Sequence, residues 1–117
     1  LRERYADIYD FAPVAYFTLD PQGVILQVNL AGAILLGIRR SQMARFRFAA
    51  SVEPALLPAF TAFFEAVLSG EPCQKCDITL MATHQRPPLQ VRIEASVDES
   101  GKECHMVVMK LPEASPA

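Results

Sequence analysis

The sequence predicts an α+β domain, in which strands and helices occupy separate blocks of the chain. A short helical segment opens the chain, two strand-like segments joined by a turn follow, helical segments fill the middle, and three strand-like segments come last. The chain has 117 residues, of which 51% are hydrophobic and 21% are charged. This size and composition fit one globular domain that buries its own core.

The start of the chain is predicted to form an amphipathic helix. Leu1, Tyr5, Ile8 and Tyr9 recur at helical spacing with charged residues between them, and a proline follows the segment. We interpret this segment, residues 1–12, as a helix that flanks the domain.

A β-hairpin is predicted next. Residues 14–19 are rich in β-branched and aromatic side chains, and residues 24–29 begin with an apolar, strand-like run. Between them, Asp20, Pro21 and Gly23 give a strong turn signal. Two such segments around a tight turn are typical of a hairpin.

The stretch GVILQVNLAGAILLG, at residues 23–37, carries no charge. It is compatible with a membrane span, a core helix or two elements of a soluble domain. Gln27 and Asn29 near its middle, and the turn at its start, speak against a membrane helix. After Asn29, apolar residues recur at three- and four-residue steps, which predicts a short helix. Asn29 is expected to cap that helix and Gly37 to lie near its end, so the stretch is predicted to be a strand, a cap and a helix.

The clearest helix lies in the segment PALLPAFTAFFEAVLSGEP, at residues 54–72. Its apolar residues form a broad face, and Gly70 and Pro72 end it. Pro58 removes an internal hydrogen bond, so the regular helix is expected to begin only there. The preceding residues, 39–54, have weak periodicity and predict turns or one-turn helices.

Three strands are predicted in the last third of the chain. They are residues 74–82, 89–97 and 103–111, with turns between them. The second strand alternates most clearly, because its apolar residues fall on one face and its polar residues on the other. The small and Pro-rich residues 112–117 are interpreted as a linker or a disordered tail.

Two segments resemble a known family. TLDPQGVILQVNLAGAILLG resembles the start of a PAS sensor domain, in which D-x-x-G joins the first two strands and an Asn precedes an Ala/Leu-Gly helix. AFFEAVLSGEP resembles the end of the long PAS connector helix. The positions that carry these motifs are Asp20, Gly23, Asn29, Ala33, Leu36, Gly37 and Gly70. The resemblance extends over roughly residues 5–111, and we expect the PAS domain itself at residues 13–111.

The resemblance implies a five-stranded antiparallel sheet with short helices and the long connector helix on one face. It also implies a pocket between that face and the helices, which in the family can hold haem, a flavin, a chromophore, a metal or a small metabolite. The candidate pocket residues are Phe46, Phe60, Phe63, Phe64, Ile78, Val91, Ile93 and Arg45. Most of the apolar ones are expected to pack as core, and one or two to touch a ligand if there is one. Arg45 is suited to grip a phosphate or carboxylate, although the arginines of this region are more simply a solvated surface.

Two of the family's cofactors are not expected here. In light-sensing flavin PAS domains a reactive Cys precedes an Arg-Phe pair, whereas Ala44 precedes Arg45 and Phe46 in this chain, so the nucleophile of a flavin–cysteine adduct is missing. Haem-binding PAS domains commonly use an axial His on the long helix, whereas His84 and His105 fall in or beside the later strands. The cofactor is therefore unknown, and we expect a small metabolite or none.

The cysteines are candidates for a metal or redox site. Cys73 and Cys76 form a CQKC motif, but a redox CxxC needs a helix after its first Cys to lower the thiol pKa, and this one enters a strand. A zinc site needs four ligands, and Cys104 or His105 could complete one only if two strand ends bend together. We therefore expect ordinary thiols and no metal. The odd cysteine count favours a reducing, cytoplasmic setting.

The resemblance implies the sensory module of a larger signalling protein, a histidine kinase or a cyclic-dinucleotide enzyme. The module would bind a small ligand, form a homodimer through its N-terminal helix and sheet face, or do both, and so control an output domain. The alternatives are a ligand-free dimerisation module and the PAS domain of a transcriptional regulator. We expect no enzymatic activity from this chain, because no nucleophile–base pair or phosphate-binding loop is recognisable. With a formal net charge of −2, no contact with nucleic acid or membrane is expected.

Overall fold

A five-stranded antiparallel sheet forms the centre of the structure, as the PAS resemblance implied. The computed structural model describes residues 14–43, 45–71 and 74–111. The strands are β1 (Ala15–Leu19), β2 (Ile25–Val28), β3 (Gln74–Leu80), β4 (Leu89–Val97) and β5 (Cys104–Lys110). Between β2 and β3 lie helix α1 (Leu30–Leu36), three short 3₁₀ helices (Arg40–Gln42, Phe48–Ser51 and Pro54–Leu56) and helix α2 (Leu57–Leu68).

The sheet brings the first and last strands together at its centre. Its strand order is β2-β1-β5-β4-β3, and Phe17 of β1 lies opposite Met106 of β5. The pairs β1–β2, β3–β4 and β4–β5 join strands that follow each other in the chain, and all of them are antiparallel. The long connection from β2 to β3 carries both α-helices.

The two faces of the sheet differ in polarity, as the alternation along β4 predicted. Val91, Ile93 and Ala95 of β4 are buried, whereas Gln90 and Arg92 between them are exposed. Helix α2 packs against β3 and β4, and helix α1 packs against β1. The core therefore lies between the apolar face of the sheet and the helices.

The turn between β1 and β2 is held by the side chain of Asp20. Its Oδ1 accepts hydrogen bonds from the backbone N–H groups of Gln22 and Val24, both at 2.9 Å. Gly23 has a φ of 83°, in the left-handed region where an L side chain is strained. The D-x-x-G pattern thus encodes this turn.

Asn29 joins helix α1 to strand β1. Its Oδ1 accepts hydrogen bonds from the N–H of Gly32 in α1 and from the N–H of Tyr16 in β1, both at 2.9 Å. Its Nδ2 donates to the carbonyl of Val14 at 2.9 Å. At the other end of α1, Gly37 takes the left-handed conformation with a φ of 69°. Both predicted helix caps are confirmed.

Helix α2 begins at Leu57, one residue before the predicted start, with Pro58 in its first turn. Proline is tolerated there because the N–H groups of the first turn have no partner within the helix. Gly70, with a φ of 89°, follows the end of the helix. The short 3₁₀ helices before α2 agree with the prediction of turns or one-turn helices.

The uncharged stretch at residues 23–37 is divided as predicted into a strand, the Asn29 cap and a short helix. Within the described residues, no helix has the length and apolar character needed to cross a bilayer. The predicted helix at residues 1–12 and the predicted tail at residues 112–117 lie outside the described residues.

Candidate functional site

Five of the predicted pocket residues lie together on the helix-covered side of the sheet. Ile78 of β3 and Val91 and Ile93 of β4 are almost completely buried, with exposed fractions of 2%, 0% and 0%. Phe60 and Phe63 of α2 are also buried, and α2 packs against these two strands. All five belong to one contiguous apolar core.

Phenyl rings form a connected group in this core. The ring centroids of Phe17 and Phe48 are 5.2 Å apart, and those of Phe48 and Phe60 are 5.5 Å apart. Phe60 also contacts Phe63 and Phe64, with centroid separations of 6.2 and 6.1 Å. Such separations are those of packed aromatic pairs. The rings therefore occupy the region where the family resemblance implied a ligand pocket.

Phe46 and Phe64 form the half-buried rim of this aromatic group. The carbonyl of Phe46 accepts a hydrogen bond from the N–H of Ile25 at 2.9 Å. The ring of Phe64 comes within 3.9 Å of the place that a Cβ on Gly23 would occupy. Both rings pack against the core but keep partial exposure beside the start of β2. A ligand that entered the core from solvent here would meet the least buried of the described phenylalanines first.

Arg45 lies at the surface, next in sequence to Phe46. Its side chain is exposed and its backbone φ is 69°, a left-handed conformation that costs a non-glycine residue roughly 1–2 kcal/mol. Arg39 and Arg47 are exposed as well, which agrees with a solvated surface. Ala44, at the position where flavin-binding relatives carry a reactive Cys, lies outside the described residues.

The two described cysteines do not converge on one site. Cys76 in β3 lies opposite Ile93 in β4, which lies opposite Val108 in β5, four residues along that strand from Cys104. Two strand spacings of about 4.8 Å and four residues of about 3.3 Å each separate the two positions by about 16 Å. Zinc–thiolate bonds are only about 2.3 Å long, so these two thiols cannot bind one ion. Cys73 lies outside the described residues.

Burial raises the pKa of both described thiols. It raises the pKa of the fully buried Cys104 to about 11. It also raises the pKa of Cys76, and the negative charge of Asp77 adds to that effect. Both groups are therefore thiols at neutral pH. This state agrees with ordinary core cysteines, because the thiolate is the form that binds metals and attacks electrophiles.

Sequence reasoning missed the role of Arg86, in the loop between β3 and β4. Its Nε and Nη2 donate to the carbonyl of Leu35, near the end of α1, at 2.9 and 2.7 Å. Its Nη1 donates to the carbonyls of Met81 and Pro87 at 3.0 and 2.9 Å. Partial burial lowers the pKa of its guanidinium group. No pattern in the sequence marks the contact with α1, because the carbonyl of Leu35 lies 51 residues away in the chain.

An open depression of about 430 Å³ lies beside the end of α1. It is lined by Gly37 and by residues 82–85 of the β3–β4 loop. None of the predicted pocket residues lines it. The depression is therefore a feature of the α1–loop contact and separate from the aromatic core.

The opposite face of the sheet carries a half-buried apolar strip. Tyr16 of β1 lies opposite Val107 of β5, and Met109 follows on the same face of β5. On the neighbouring strands, Arg92 donates to both carboxylate oxygens of Asp77 at 2.8 and 3.1 Å. That hydrogen bonding lowers the pKa of Asp77, but the pair is exposed and adds little stability. An apolar strip bordered by charges is suited to contact another protein surface.

A family model described as the PAS fold matches residues 3–111 of the chain. The chain belongs to the PAS family. The match contains both motif segments that resemble the family and every strand of the sheet. PAS domains are sensory modules rather than catalytic ones, and this chain is a PAS sensory domain.

Solved PAS structures share the fold of this chain. A domain of a sensory box sensor histidine kinase/response regulator from Geobacter sulfurreducens has 18% identity and a TM-score of 0.78, with 93% of each chain covered. The photoactive yellow protein domain of the sensor histidine kinase Ppr from Rhodospirillum centenum has 24% identity and a TM-score of 0.72, covering 89% of this chain and 91% of that one. The N-terminal domain of a diguanylate cyclase with PAS/PAC sensor from Marinobacter aquaeolei has 13% identity and a TM-score of 0.66, covering 83% and 94%. A comparison with curated protein sequences gives no match.

Proposed function

We propose that this PAS domain is the sensory module of a multidomain signalling protein, either a sensor histidine kinase or a cyclic-dinucleotide enzyme. The observation that carries the proposal is the PAS match over residues 3–111. Domains of the same fold belong to sensor histidine kinases and to a diguanylate cyclase. The three cysteines fit a reducing, cytoplasmic compartment.

The ligand site of this sensor is the aromatic core, entered at the rim formed by Phe46 and Phe64. Phenyl walls favour a small and largely apolar ligand. An acidic group on that ligand would meet Arg45, which lies at the surface beside Phe46. Because the core rings already contact each other, a ligand must displace at least one of them. The protein then has two states, and a ligand shifts their populations only as far as its affinities for them differ.

Strand β5 connects the ligand site to the proposed dimer surface. Met106 of β5 is buried in the core, whereas Val107 and Met109 lie on the opposite face of the sheet. The dimer forms through the apolar strip of Tyr16, Val107 and Met109, together with the predicted helix at residues 1–12. A ring that is displaced in the core can therefore change the dimer contact by moving β5 alone. The changed dimer contact then acts on the output domain.

Titration of the ¹⁵N-labelled protein with pools of small metabolites tests the ligand site. We expect amide shifts centred on Phe46, Phe64 and Ile25. For an acidic ligand, Arg45→Ala should weaken binding about tenfold or more, because a charge-assisted hydrogen bond is lost. The matched control Arg39→Ala, another exposed arginine, should leave the affinity unchanged. Shifts confined to residues 82–85, or no shifts with any pool, would contradict this site.

A second candidate function is a dimerisation module without a ligand. The close contacts of Phe17, Phe48 and Phe60 favour it, because the protein's own side chains fill the core. Sedimentation velocity over a wide concentration range tests this candidate. A dimer that carries no small molecule would support it, and a strict monomer at the highest soluble concentration would rule it out.

A further inference from the structure

Three potential metal ligands meet at the hairpin between β4 and β5. Asp98 follows the end of β4, Glu103 precedes β5, and His105 is the second residue of β5. One ligand atom of each residue lies within 4.8 Å of the other two. This cluster lies outside the aromatic core and the β3–β4 loop, so it is independent of the proposed ligand site.

The carboxylate of Asp98 is held in place by its own hairpin. Its Oδ1 accepts hydrogen bonds from the Ser100 hydroxyl at 2.8 Å and from the N–H groups of Lys102 and Glu103 at 3.1 and 3.3 Å. The hydrogen bond from Ser100, and after it those from the backbone, lower the pKa of Asp98. The same bonds orient its second oxygen, Oδ2, which they leave available for a ligand.

The imidazole of His105 is held by strand β1. Its Nδ1 lies 3.5 Å from the hydroxyl of Thr18, whose side chain is only 3% exposed. Its ring also lies against the ring of Tyr16, with centroids 6.2 Å apart. Histidines that bind metals commonly use one ring nitrogen for the ion and the other for a supporting polar partner. The hydroxyl of Thr18 is the polar neighbour of Nδ1 here.

We propose that Asp98, Glu103 and His105 bind a divalent transition-metal ion. One imidazole nitrogen and two carboxylates suit Zn²⁺, Co²⁺, Ni²⁺ or Mn²⁺ better than Mg²⁺ or Ca²⁺, which prefer oxygen ligands alone. Metal–ligand bonds of about 2.0–2.2 Å require the donors to move somewhat closer together. The exposed side chain of Glu103 can make that movement. Three protein ligands leave further coordination positions for water. The bound ion links the end of β4 to the start of β5.

Titration of the whole chain with Co²⁺, under reducing conditions, tests this site, because Co²⁺ reports its ligands through its absorption spectrum. We expect one equivalent of Co²⁺ to give visible d–d bands without a thiolate charge-transfer band. The paramagnetic ion should broaden the amide signals of Asp98, Glu103 and His105. His105→Gln should weaken binding by at least tenfold, and Glu103→Gln, at an exposed position, should weaken it without disturbing the fold.

Two control variants separate this site from other metal-binding groups. His84→Gln removes the other histidine and should leave Co²⁺ binding unchanged. The double variant Cys73→Ser/Cys76→Ser should also leave it unchanged. Binding that survives both His105→Gln and Glu103→Gln in folded protein, a thiolate band, or no Co²⁺ binding in the millimolar range would overturn the proposal.

Discussion

At the scale of single residues, Asn29 connects more parts of the fold than its position in the sequence suggests. Its side chain is fully buried and bonds the first turn of α1, the N–H of Tyr16 and the carbonyl of Val14. The amide has both an acceptor and a donor, so one side chain satisfies three backbone groups. A sequence pattern can predict the helix cap, because the cap is local in the chain. It cannot predict the bonds to Tyr16 of β1 and to Val14 just before that strand, which depend on how α1 packs.

Replacing Asn29 with alanine should destabilise the protein strongly. Asn29→Ala removes a helix cap and the part-buried hydrogen bonds of the side chain to the N–H of Tyr16 and the carbonyl of Val14. We expect the free energy of unfolding to fall by about 2–4 kcal/mol, measured by urea denaturation. The matched control is Gln27→Ala, an exposed polar residue two positions earlier, which should change stability by less than about 0.5 kcal/mol. Equal effects of the two substitutions would show that the Asn29 bonds do not form.

The buried thiol of Cys104 should resist alkylation in the native protein. Burial raises its pKa to about 11, and only the thiolate reacts. The thiolate fraction grows about tenfold for each pH unit below that pKa, so labelling should accelerate as the pH rises. Mass spectrometry after iodoacetamide treatment should show Cys104 unmodified at pH 7 in folded protein and modified in urea. Modification of native Cys104 as fast as of the unfolded chain would contradict its burial.

At the scale of secondary-structure elements, the position of α1 depends on close contacts at both of its ends. A β-carbon on Gly32 would lie 2.5 Å from Cγ2 of Val28, so the helix approaches the sheet more closely than alanine would allow. At the other end, Arg86 bonds the carbonyl of Leu35 from the β3–β4 loop. The sequence predicts the helix itself from its period and caps. Neither close contact is visible in the sequence, because each depends on residues that the fold brings together.

Arg86 should stabilise the contact between α1 and the β3–β4 loop. Arg86→Ala removes four hydrogen bonds to three carbonyls, so we expect a loss of about 1–3 kcal/mol in unfolding free energy. Hydrogen exchange at Gly37 and Thr83 should become faster. Arg86→Lys keeps the charge but loses the forked geometry, so its unfolding free energy should lie between those of the wild type and of Arg86→Ala.

The control for this contact is Gln85→Ala, in the same loop. The side chain of Gln85 is exposed, and the residue bonds the hydroxyl of Thr83 through its backbone N–H, which the substitution keeps. Unchanged exchange at Gly37 in Arg86→Ala would show that the loop is held by other interactions.

At the scale of the whole molecule, local patterns predict the elements and the family resemblance predicts their arrangement. Alternation along β4 indicates which face is buried, and the D-x-x-G turn indicates the first hairpin. Neither tells that β1 pairs with β5 at the centre of the sheet, because that pairing joins distant parts of the chain. In the candidate site, too, local patterns predict some features and long-range packing determines the others. Phe60 and Phe63 could be assigned to the apolar face of a helix from their spacing, whereas the role of Phe46 and Phe64 as a rim follows only from their packing near Gly23 and Ile25.

The proposed sensor role of this PAS domain depends on a bound small molecule, on dimerisation, or on both. Native mass spectrometry of the protein as purified, followed by denaturing mass spectrometry of the released material, tests this most directly. We expect either an added mass that leaves on denaturation or a dimer, and the size of the mass would identify the class of ligand or metal. A monomer without added mass, at the highest soluble concentration and after incubation with metabolite pools, would contradict the claim.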